Sequence, residues 1–333
     1  MGSPKELIVP IFIPHSGCPH QCVFCNQKKI TASEQAPTPQ GVCEYLSRHL
    51  GPDTAHAVIA FYGGSFTGLP RQDQESYLRV AGEFVRQGFA RGIRLSTRPD
   101  CVDAETAQFL KVSGVITVEL GVQSLDNEVL RLSGRGHSAE DAVQASRTVK
   151  ECGLELGIQL MAGLPGDSEE KFMRTVERTV ALEPSFVRIY PALVVGGSPL
   201  EALWRRGEFA PLPLDAAVSW CSKAVRIFRE ADIRVIRLGL QAGRELEGSL
   251  LAGPYHPAFG HLVESELAFE RMEDALKKSS GERAEFRVNP RELSVFKGIR
   301  GVNAARLKAL RGIEVSIKAD PEVGAGGLEL KAS

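Results

Sequence analysis

The stretch that decides the fold joins an apolar run to a cysteine loop: Pro10-Ile11-Phe12-Ile13-Pro14-His15-Ser16-Gly17-Cys18-Pro19-His20-Gln21-Cys22-Val23-Phe24-Cys25. Its three cysteines are spaced C-x3-C-x2-C, directly after a run that is typical of a buried strand. Thiolates are soft ligands, and closely spaced cysteines on one loop can hold one metal centre. A structural zinc takes four ligands, usually from two CxxC pairs. A 4Fe–4S cluster also takes four, so three thiolates leave one iron open to a ligand from outside the protein.

The remaining cysteines bear on the choice between these metals. Cys43, Cys101, Cys152 and Cys221 are scattered along the chain and form no second CxxC pair. The pattern therefore favours an iron–sulfur cluster, and a zinc site or three unrelated thiols stays open as the alternative.

Length and composition exclude several classes of protein. The chain has 333 residues, 43% of them hydrophobic and 24% charged, which suits about two domains or one large barrel with an appendage. The net charge of −1 gives no overall field for nucleic acid or a membrane. No apolar run approaches the roughly 18 residues of a membrane span, and residues 1–6 lack a signal-peptide pattern. Clustered cysteines suit a reducing compartment, so we expect a cytoplasmic protein with no membrane partner.

Apolar segments alternate with helical patterns along the first two thirds of the chain. After the first strand, further strands are predicted at 57–62, 93–97, 115–120, 154–161 and 185–190. Alternation at this spacing predicts parallel βαβ units, whose strands are apolar because both faces are covered. A doubly wound sheet would carry a Gly-rich dinucleotide turn after its first strand, and the cysteine loop stands there instead. In a (β/α) barrel the chemistry lies at the carboxyl ends of the strands, where the unusual residues of this chain fall.

The cysteine spacing, together with the aromatic Phe24 before Cys25, resembles the radical S-adenosylmethionine (radical SAM) superfamily. This resemblance implies an α/β fold, a partial (β/α)6 TIM-type barrel, here with a small C-terminal α/β extension. It also implies that Cys18, Cys22 and Cys25 hold three irons of a 4Fe–4S cluster. The methionyl amine and carboxylate of S-adenosylmethionine (SAM) would then chelate the open iron.

The resemblance assigns further residues to SAM, all of them in the cysteine loop or at the ends of strands: Phe24, Gly63, Gly64, Ser65, Ser96, Gln123, Arg135, Gln159 and Tyr190. Glycine lacks a Cβ, which lets backbone carbonyls approach a ligand closely. Ser65 stands where the superfamily has Glu, so the backbone would do most of the work of binding the amine. Alone, a Gly-Gly pair is more often only a turn.

Gln123 and Arg135 resemble positions that hold the SAM carboxylate and ribose in the oxygen-independent coproporphyrinogen oxidase and Elongator-type branches. A guanidinium can bind a carboxylate bidentately, although Arg135 could equally be a solvated charge beside a helix. On the same resemblance Ser96 and Gln159 would line the ribose pocket. Both depart from the acidic residues of the coproporphyrinogen oxidase branch, which weakens their assignment.

Residues 187–204, Val-Arg-Ile-Tyr-Pro-Ala-Leu-Val-Val-Gly-Gly-Ser-Pro-Leu-Glu-Ala-Leu-Trp, resemble the Elongator catalytic-subunit branch most clearly. The resemblance covers about residues 8–240. We expect no acetyltransferase half like the one in that branch, since the residues after about 240 are too few for that fold, and so we expect no acetyl chemistry here. We expect domains at 1–240 (barrel), 241–280 (connecting loop and helix) and 281–333 (small basic α/β module).

The tail differs from the rest in charge. Between Arg271 and Arg311 there are 11 Lys and Arg against 5 Asp and Glu, a local excess of +6. Within it, Gly298, Arg300 and Gly301 belong to a Gly-x-x-Gly sequence flanked by helical patterns and followed by a strand at 313–318. That order resembles the centre of a KH module, whose loop clamps a nucleic-acid backbone. A helical plug that closes the barrel, or a helix-hairpin-helix, is the alternative.

These observations predict a radical SAM enzyme. Reductive cleavage of SAM at the cluster would give a 5′-deoxyadenosyl radical, with the electron from a donor such as flavodoxin or ferredoxin. The Elongator-like barrel and the basic tail together favour RNA as substrate, in particular tRNA uridine. Three alternatives stay open: an enzyme acting on a tetrapyrrole, a non-catalytic iron–sulfur and SAM-binding RNA regulator, and a zinc-bearing assembly factor.

Overall fold

A computed structural model describes residues 7–13, 17–26, 36–240, 243–277 and 282–332. Pro14, His15 and Ser16 of the quoted stretch lie outside the described residues. The chain divides into two compact units. The barrel unit is Met1–Pro213 with Ile227–Tyr255, and the C-terminal unit is Leu214–Arg226 with His256–Ser333.

The strands in chain order are β1 (Ile8–Ile13), β2 (Val58–Gly63), β3 (Gly92–Thr97), β4 (Val115–Gln123), β5 (Glu155–Ala162), β6 (Phe186–Pro191), β7 (Val194–Val195), β8 (Arg234–Leu238), β9 (Leu250–Ala252), β10 (Arg283–Val288), β11 (Glu314–Ala319) and β12 (Leu328–Ala332). The α-helices are α1 (Pro39–His49), α2 (Arg71–Arg86), α3 (Ala104–Val112), α4 (Asn127–Leu132), α5 (Ala139–Glu151), α6 (Glu169–Val180), α7 (Pro199–Arg205), α8 (Leu214–Glu230), α9 (Arg244–Ser249), α10 (Phe259–Leu276), α11 (Leu293–Lys297) and α12 (Val302–Arg311).

A parallel sheet organises the barrel unit. Among the described residues it has seven strands in the order β1-β2-β3-β4-β5-β6-β8, and every neighbouring pair is parallel. Strand order that follows chain order, with helices between the strands, is the arrangement of a (β/α) barrel that has not closed. The partial TIM-type barrel predicted from the sequence is therefore confirmed.

The seventh strand, β8, was not predicted. It lies at the edge of the sheet beside β6 and carries Arg234 and Arg237 among its five residues. All of its residues are exposed or partly exposed, so the strand lacks the apolar run that marked the other six. An edge strand exposes more of its surface to water and tolerates charged residues, which hides it from a search for buried strands.

Contacts across the sheet separate its two faces. Phe61 of β2 packs against Phe66 and Tyr77, with ring centroids 5.1 and 6.0 Å apart, so its side chain points towards α2. The next residue, Tyr62, instead accepts a hydrogen bond through its hydroxyl from Arg188 of β6, at 3.2 Å. Because β2 and β6 are not neighbours in the sheet, these two side chains meet inside its curve. The inner face is therefore polar, and the outer face packs on helices.

Polar caps begin several of the helices that follow the carboxyl ends of the strands. Asp103 accepts from the backbone of Thr106 at 2.8 Å, and Ser138 forms a reciprocal capping box with Asp141 at the start of α5. Each such cap contributes about 1 kcal/mol and fixes where the preceding loop must end. The site loops are thus held by local sequence at their helical ends.

The C-terminal unit is the small extension that the sequence predicted. Its sheet has the order β11-β10-β12, with β10 parallel to β11 and antiparallel to β12. Buried side chains of α10, β10, α11 and α12 form its core, including Met272, Phe286, Phe296 and Leu307. Helix α11, the Gly298–Gly301 loop, helix α12 and strand β11 follow one another as the sequence indicated. Within the described residues, no helix combines the length and apolar composition that crossing a bilayer requires.

Candidate active site

The cysteine loop lies directly after β1, at the carboxyl edge of the sheet. Cys22 is buried, Cys25 is half-buried and Cys18 is exposed, and a turn joins the Cys25 amide to the Cys22 carbonyl at 3.1 Å. Backbone hydrogen bonds attach the middle of the loop to two other segments. Val23 donates to the carbonyl of Ser133 at 3.0 Å and accepts from the amide of Leu200 at 2.7 Å. The loop is therefore fixed in place by the barrel unit.

Glycines let the neighbouring loops approach the cysteines. A Cβ added at Gly17 would lie 2.2 Å from the carbonyl oxygen of Ser65, and one at Gly68 would lie 1.8 Å from the Gly17 carbonyl oxygen. Gly136 has a φ of +73°, and its Cβ would lie 2.2 Å from the ring of His20. Close packing against backbone requires glycine at positions 17 and 68, and at positions 17 and 136 the positive φ favours glycine as well.

Two guanidinium groups meet at the sulfur of Cys22. Nη1 of Arg135 lies 3.1 Å from the Cys22 Sγ, and Nη1 of Arg98 lies 3.9 Å from it. Both arginines are buried, with 5% and 4% of their surface exposed. Asp100 holds Arg98 bidentately at 2.9 and 3.0 Å. The sequence had not indicated Arg98 as a site residue.

These surroundings fit a cluster held by three thiolates. Such a cluster carries negative charge, and two buried cations with N–H groups directed at a ligand sulfur offset that charge. In the described part of the chain, no three His, Cys, Asp or Glu side chains converge as around a single ion. Thiolates that bind different irons stand farther apart than thiolates bound to one ion, so a cluster does not require such a convergence.

The same cations act on His137, which follows Arg135 by two residues. Burial lowers the pKa of His137 to about 4, and the positive charge of Arg135 adds to this effect. Nε of Arg135 lies 3.3 Å from Nε2 of His137, while Nδ1 lies 3.1 Å from the carbonyl of Ser138. His137 is thus neutral at pH 7 and accepts from Arg135.

The predicted glycine turn lies beside the cysteine loop. Gly63 has a φ of +112°, and a Cβ there would lie 2.9 Å from the carbonyl oxygen of Ile13. The amide of Gly64 donates to that same carbonyl at 2.8 Å. The Ser65 hydroxyl is buried, 2.8 Å from the Thr97 hydroxyl, and accepts from the Arg98 amide at 3.3 Å. The Ser65 side chain is therefore used within the protein, which leaves the backbone of the turn to meet a ligand.

Gln123 and Arg135 are brought together at the end of β4. A Cβ on Gly121 would lie 3.0 Å from Nε2 of Gln123 and 3.5 Å from Nη2 of Arg135. Gln123 has a φ of +67°, a strained conformation for a residue other than glycine. Arg135 donates to Gly121, Cys22 and His137 with its three nitrogens. Three of the five N–H groups of the guanidinium are used in this way, and the other two can donate to a carboxylate.

Ser96 and Gln159 also come together, inside the barrel. Nε2 of Gln159 donates to the Ser96 hydroxyl at 3.2 Å and to Glu119 at 3.0 Å. Glu119 has no exposed surface, and its Oε2 lies 2.8 Å from Nε of Arg188. The carboxylate that positions 96 and 159 lack is thus present beside them, on β4.

Tyr190 lies on β6, and Phe24 lies in the cysteine loop. Burial raises the pKa of Tyr190, and the nearby Arg188 opposes that shift. Phe24 packs in an apolar cluster with Val129, Leu164 and Ala192.

Sequence reasoning missed Arg98, Glu119, Arg188 and Tyr62 as members of the site. Arg98 had a signal, since the segment Arg98-Pro99-Asp100 directly follows a strand, as the other site segments do. The other three lie within strands, where inward and outward positions cannot be told apart when both faces are covered.

Comparisons with known proteins agree with this geometry. A family model described as the radical SAM superfamily matches residues 12–179, and one for a radical SAM C-terminal domain matches residues 184–268. The chain is 42% identical over 264 residues to a tRNA uridine(34) acetyltransferase of Methanocaldococcus infernus, covering 66% of this chain and 49% of that protein. It is 26% identical over 233 residues to Elongator complex protein 3 of Mus musculus, covering 60% of this chain and 42% of that protein. The chain thus spans about half the length of these curated relatives.

Solved structures share the fold. The archaeal Methanocaldococcus infernus Elp3 with an N-terminal deletion superposes with a TM-score of 0.61 at 20% identity, covering 96% of this chain and 70% of that one. Coproporphyrinogen III oxidase (HemN) from Escherichia coli gives a TM-score of 0.50 at 18% identity, covering 69% and 54%. With more than half of the chain inside the matched families, the chain belongs to the radical SAM superfamily of enzymes.

Proposed function

We propose that the protein is a radical SAM enzyme that modifies RNA, with tRNA uridine as the substrate. When bound, a 4Fe–4S cluster and SAM supply a 5′-deoxyadenosyl radical that abstracts hydrogen. The observation that carries the proposal is the cysteine loop fixed at the carboxyl edge of a partial barrel, with two guanidinium groups at the Cys22 sulfur.

Different residues of this chain would bind the iron and the amine of SAM. Cys18, Cys22 and Cys25 would hold three irons and leave the fourth for the amine and carboxylate of SAM. The backbone of Gly63 and Gly64 would receive the amine, because the Ser65 hydroxyl is already bonded to Thr97 and Arg98.

The inner face of the barrel would hold the nucleoside of SAM. Ser96 and Gln159 lie within 3.2 Å of one another and would face the ribose hydroxyls. Glu119, paired with Arg188, orients the Gln159 amide from behind. Gln123 and Arg135 would take the SAM carboxylate, to which the two remaining N–H groups of Arg135 can donate.

RNA as substrate is supported from two directions. The relative with 42% identity is named for its action on tRNA uridine, although this chain spans only half of it. The C-terminal unit also places Gly298 and Gly301 between α11 and α12, with Arg300 exposed between them at a φ of +57°. Such a loop between two helices, beside a strand pair, is the setting in which a KH module clamps a nucleic-acid backbone.

Fewer cations of the C-terminal unit are unpaired than its composition suggests. Several cations of the basic stretch are paired with carboxylates: Arg306 with Glu266, Lys308 with Glu314, and Arg311 with Glu273. Lys297 and Arg300 are exposed, and no carboxylate of the described residues pairs with either. Two of the exposed cations for which no carboxylate partner is described, Lys297 and Arg300, thus lie at the Gly298–Gly301 loop, which is where we propose that RNA binds.

A nucleoside analysis tests the substrate. The reconstituted protein is incubated anaerobically with dithionite, SAM and bulk tRNA, and the digested tRNA is examined by mass spectrometry beside a Cys22→Ala control. A new nucleoside that depends on Cys22 is expected. Turnover of a tetrapyrrole with tRNA unchanged would overturn the RNA proposal.

The binding loop is tested separately with Gly301→Asp, which adds a negative charge at the exposed end of the loop. RNA affinity should fall by at least tenfold while SAM cleavage without RNA is retained. Unchanged RNA affinity would contradict the role of the loop.

A further inference from the structure

Arg98 is a buried arginine whose contacts all belong to the cofactor site. One nitrogen lies 3.9 Å from the Cys22 Sγ, and another donates to the carbonyl oxygen of Arg135. Asp100 fixes the guanidinium through two hydrogen bonds, at 2.9 and 3.0 Å. The backbone amide of Arg98 donates to the Ser65 hydroxyl, which connects Arg98 to the glycine turn as well. Arg98 therefore contacts three of the segments that would surround the cluster.

A guanidinium in this place has a specific electrostatic consequence. Reduction adds one negative charge to a cluster, and a nearby buried cation stabilises the more negative state. Hydrogen bonds to ligand sulfur act in the same direction. Asp100 opposes part of this effect, because its negative charge lies on the other side of the guanidinium.

We infer that Arg98, oriented by Asp100, is a positioning residue that sets the cluster's reduction potential by directing a positive charge at the Cys22 thiolate. This inference rests on the proposed function to the extent that a cluster must bind. It goes beyond that function because it assigns to the Arg98–Asp100 pair a role distinct from holding iron or SAM.

Substitution of the two members of the pair should shift the midpoint potential of the cluster in opposite directions. Arg98→Gln removes a cation, so the midpoint potential should become more negative. Asp100→Asn keeps a hydrogen-bond acceptor but removes an anion, so the potential should become less negative. We expect the ratio of reduced to oxidised cluster at a fixed potential to change about tenfold in each case, which for one electron is about 59 mV.

The experiment is an anaerobic redox titration of the reconstituted full chain, followed by electron paramagnetic resonance, with iron and sulfide content measured for every variant. Arg311→Gln is the matched control, since Arg311 pairs with Glu273 at 2.7 Å within the C-terminal unit, which does not contain the cysteines. Opposite shifts in the two variants, with no shift in the control, would support the inference.

Unchanged potentials in both variants would overturn it, and so would shifts of the same sign. If Arg98→Gln binds no iron, Asp100→Asn alone decides: a less negative potential supports the inference, and an unchanged or more negative one overturns it. Failure of the native protein to bind a cluster would instead overturn the proposed function, so the two failures are distinguishable.

Discussion

The cysteine loop and the Gly298–Gly301 loop each contain a glycine with a positive φ, and the surroundings of these glycines, Gly17 and Gly301, differ. The cysteine loop is enclosed at Gly17, where a Cβ would lie 2.2 Å from the carbonyl oxygen of Ser65, while Cys18 beside it is exposed. At the Gly298–Gly301 loop, a Cβ on Gly301 would meet no atom of the described residues within 4 Å. Both glycines have a positive φ, of +73° and +74°. Backbone conformation alone explains Gly301, whereas Gly17 is required by its neighbours as well.

The difference in packing suits the two loops to different ligands. An enclosed loop holds its side chains in one arrangement before any ligand arrives, which suits thiolates that must meet three irons at fixed positions. An open loop keeps its amides and cations accessible, which suits a long, variable ligand such as an RNA backbone. The barrel unit therefore has the pre-organised site, and the C-terminal unit has the exposed one.

The largest expected effect is at the enclosed loop. Gly17→Ala places a methyl group against backbone atoms of Ser65, Gly68 and Leu69, none of which can rotate away. We expect a loss of about 3 kcal/mol or more in the free energy of unfolding of the barrel unit, with loss of iron binding. Urea unfolding and iron analysis measure both. Normal iron content in Gly17→Ala would show that the loop is not enclosed as described.

A second comparison concerns buried and exposed ion pairs. Glu119→Gln leaves the half-buried Arg188 without its carboxylate and should destabilise the barrel unit by about 3 kcal/mol. Lys308→Ala removes an exposed pair with Glu314 in the C-terminal unit and should change stability by less than about 1 kcal/mol. Hydrogen–deuterium exchange resolves the two units. Equal effects of the two substitutions would contradict the contrast between the units.

The pH dependence of stability should belong to the barrel unit. The pKa of His137 lies at about 4 in the folded chain, below its ordinary value of 6.5. Between these values the unfolded chain binds more protons, so the contribution of His137 to stability is full above pH 6.5 and is lost as the pH falls towards 4. Urea unfolding of the cluster-free protein measures this. As the pH falls from 6.5 towards 4, the free energy of unfolding should decrease less in His137→Gln than in the native chain. Identical slopes would refute the assignment.

Of the two glycine substitutions, the smaller effect is expected at the open loop. Gly301→Ala meets no steric obstacle among the described residues and costs only the positive φ, about 1 kcal/mol. Thermal unfolding of the C-terminal unit measures it. A cost as large as that of Gly17→Ala would mean that the two loops are equally enclosed.

The sequence was sufficient to predict the partial barrel and the place of the cysteine loop after its first strand. Buried strands and clustered thiols leave strong local patterns. It also predicted the order of helix, Gly-x-x-Gly, helix and strand in the tail. The charged edge strand β8 left no such pattern. Nor could the sequence reveal that Arg98 and Arg135 meet at Cys22, since residues 76 and 113 positions from Cys22 are joined there only by the fold. Likewise, the net charge of the tail could not show which cations are paired.

The central claim is that this loop supports radical SAM chemistry, and the formation of 5′-deoxyadenosine tests it most directly. The protein is reconstituted anaerobically with iron and sulfide, reduced with dithionite and given SAM, beside a Cys22→Ala control. We predict 5′-deoxyadenosine from the native chain and none above background from the variant. Absence of product from native protein that has an intact reduced cluster and bound SAM would contradict the account and favour a non-catalytic regulator.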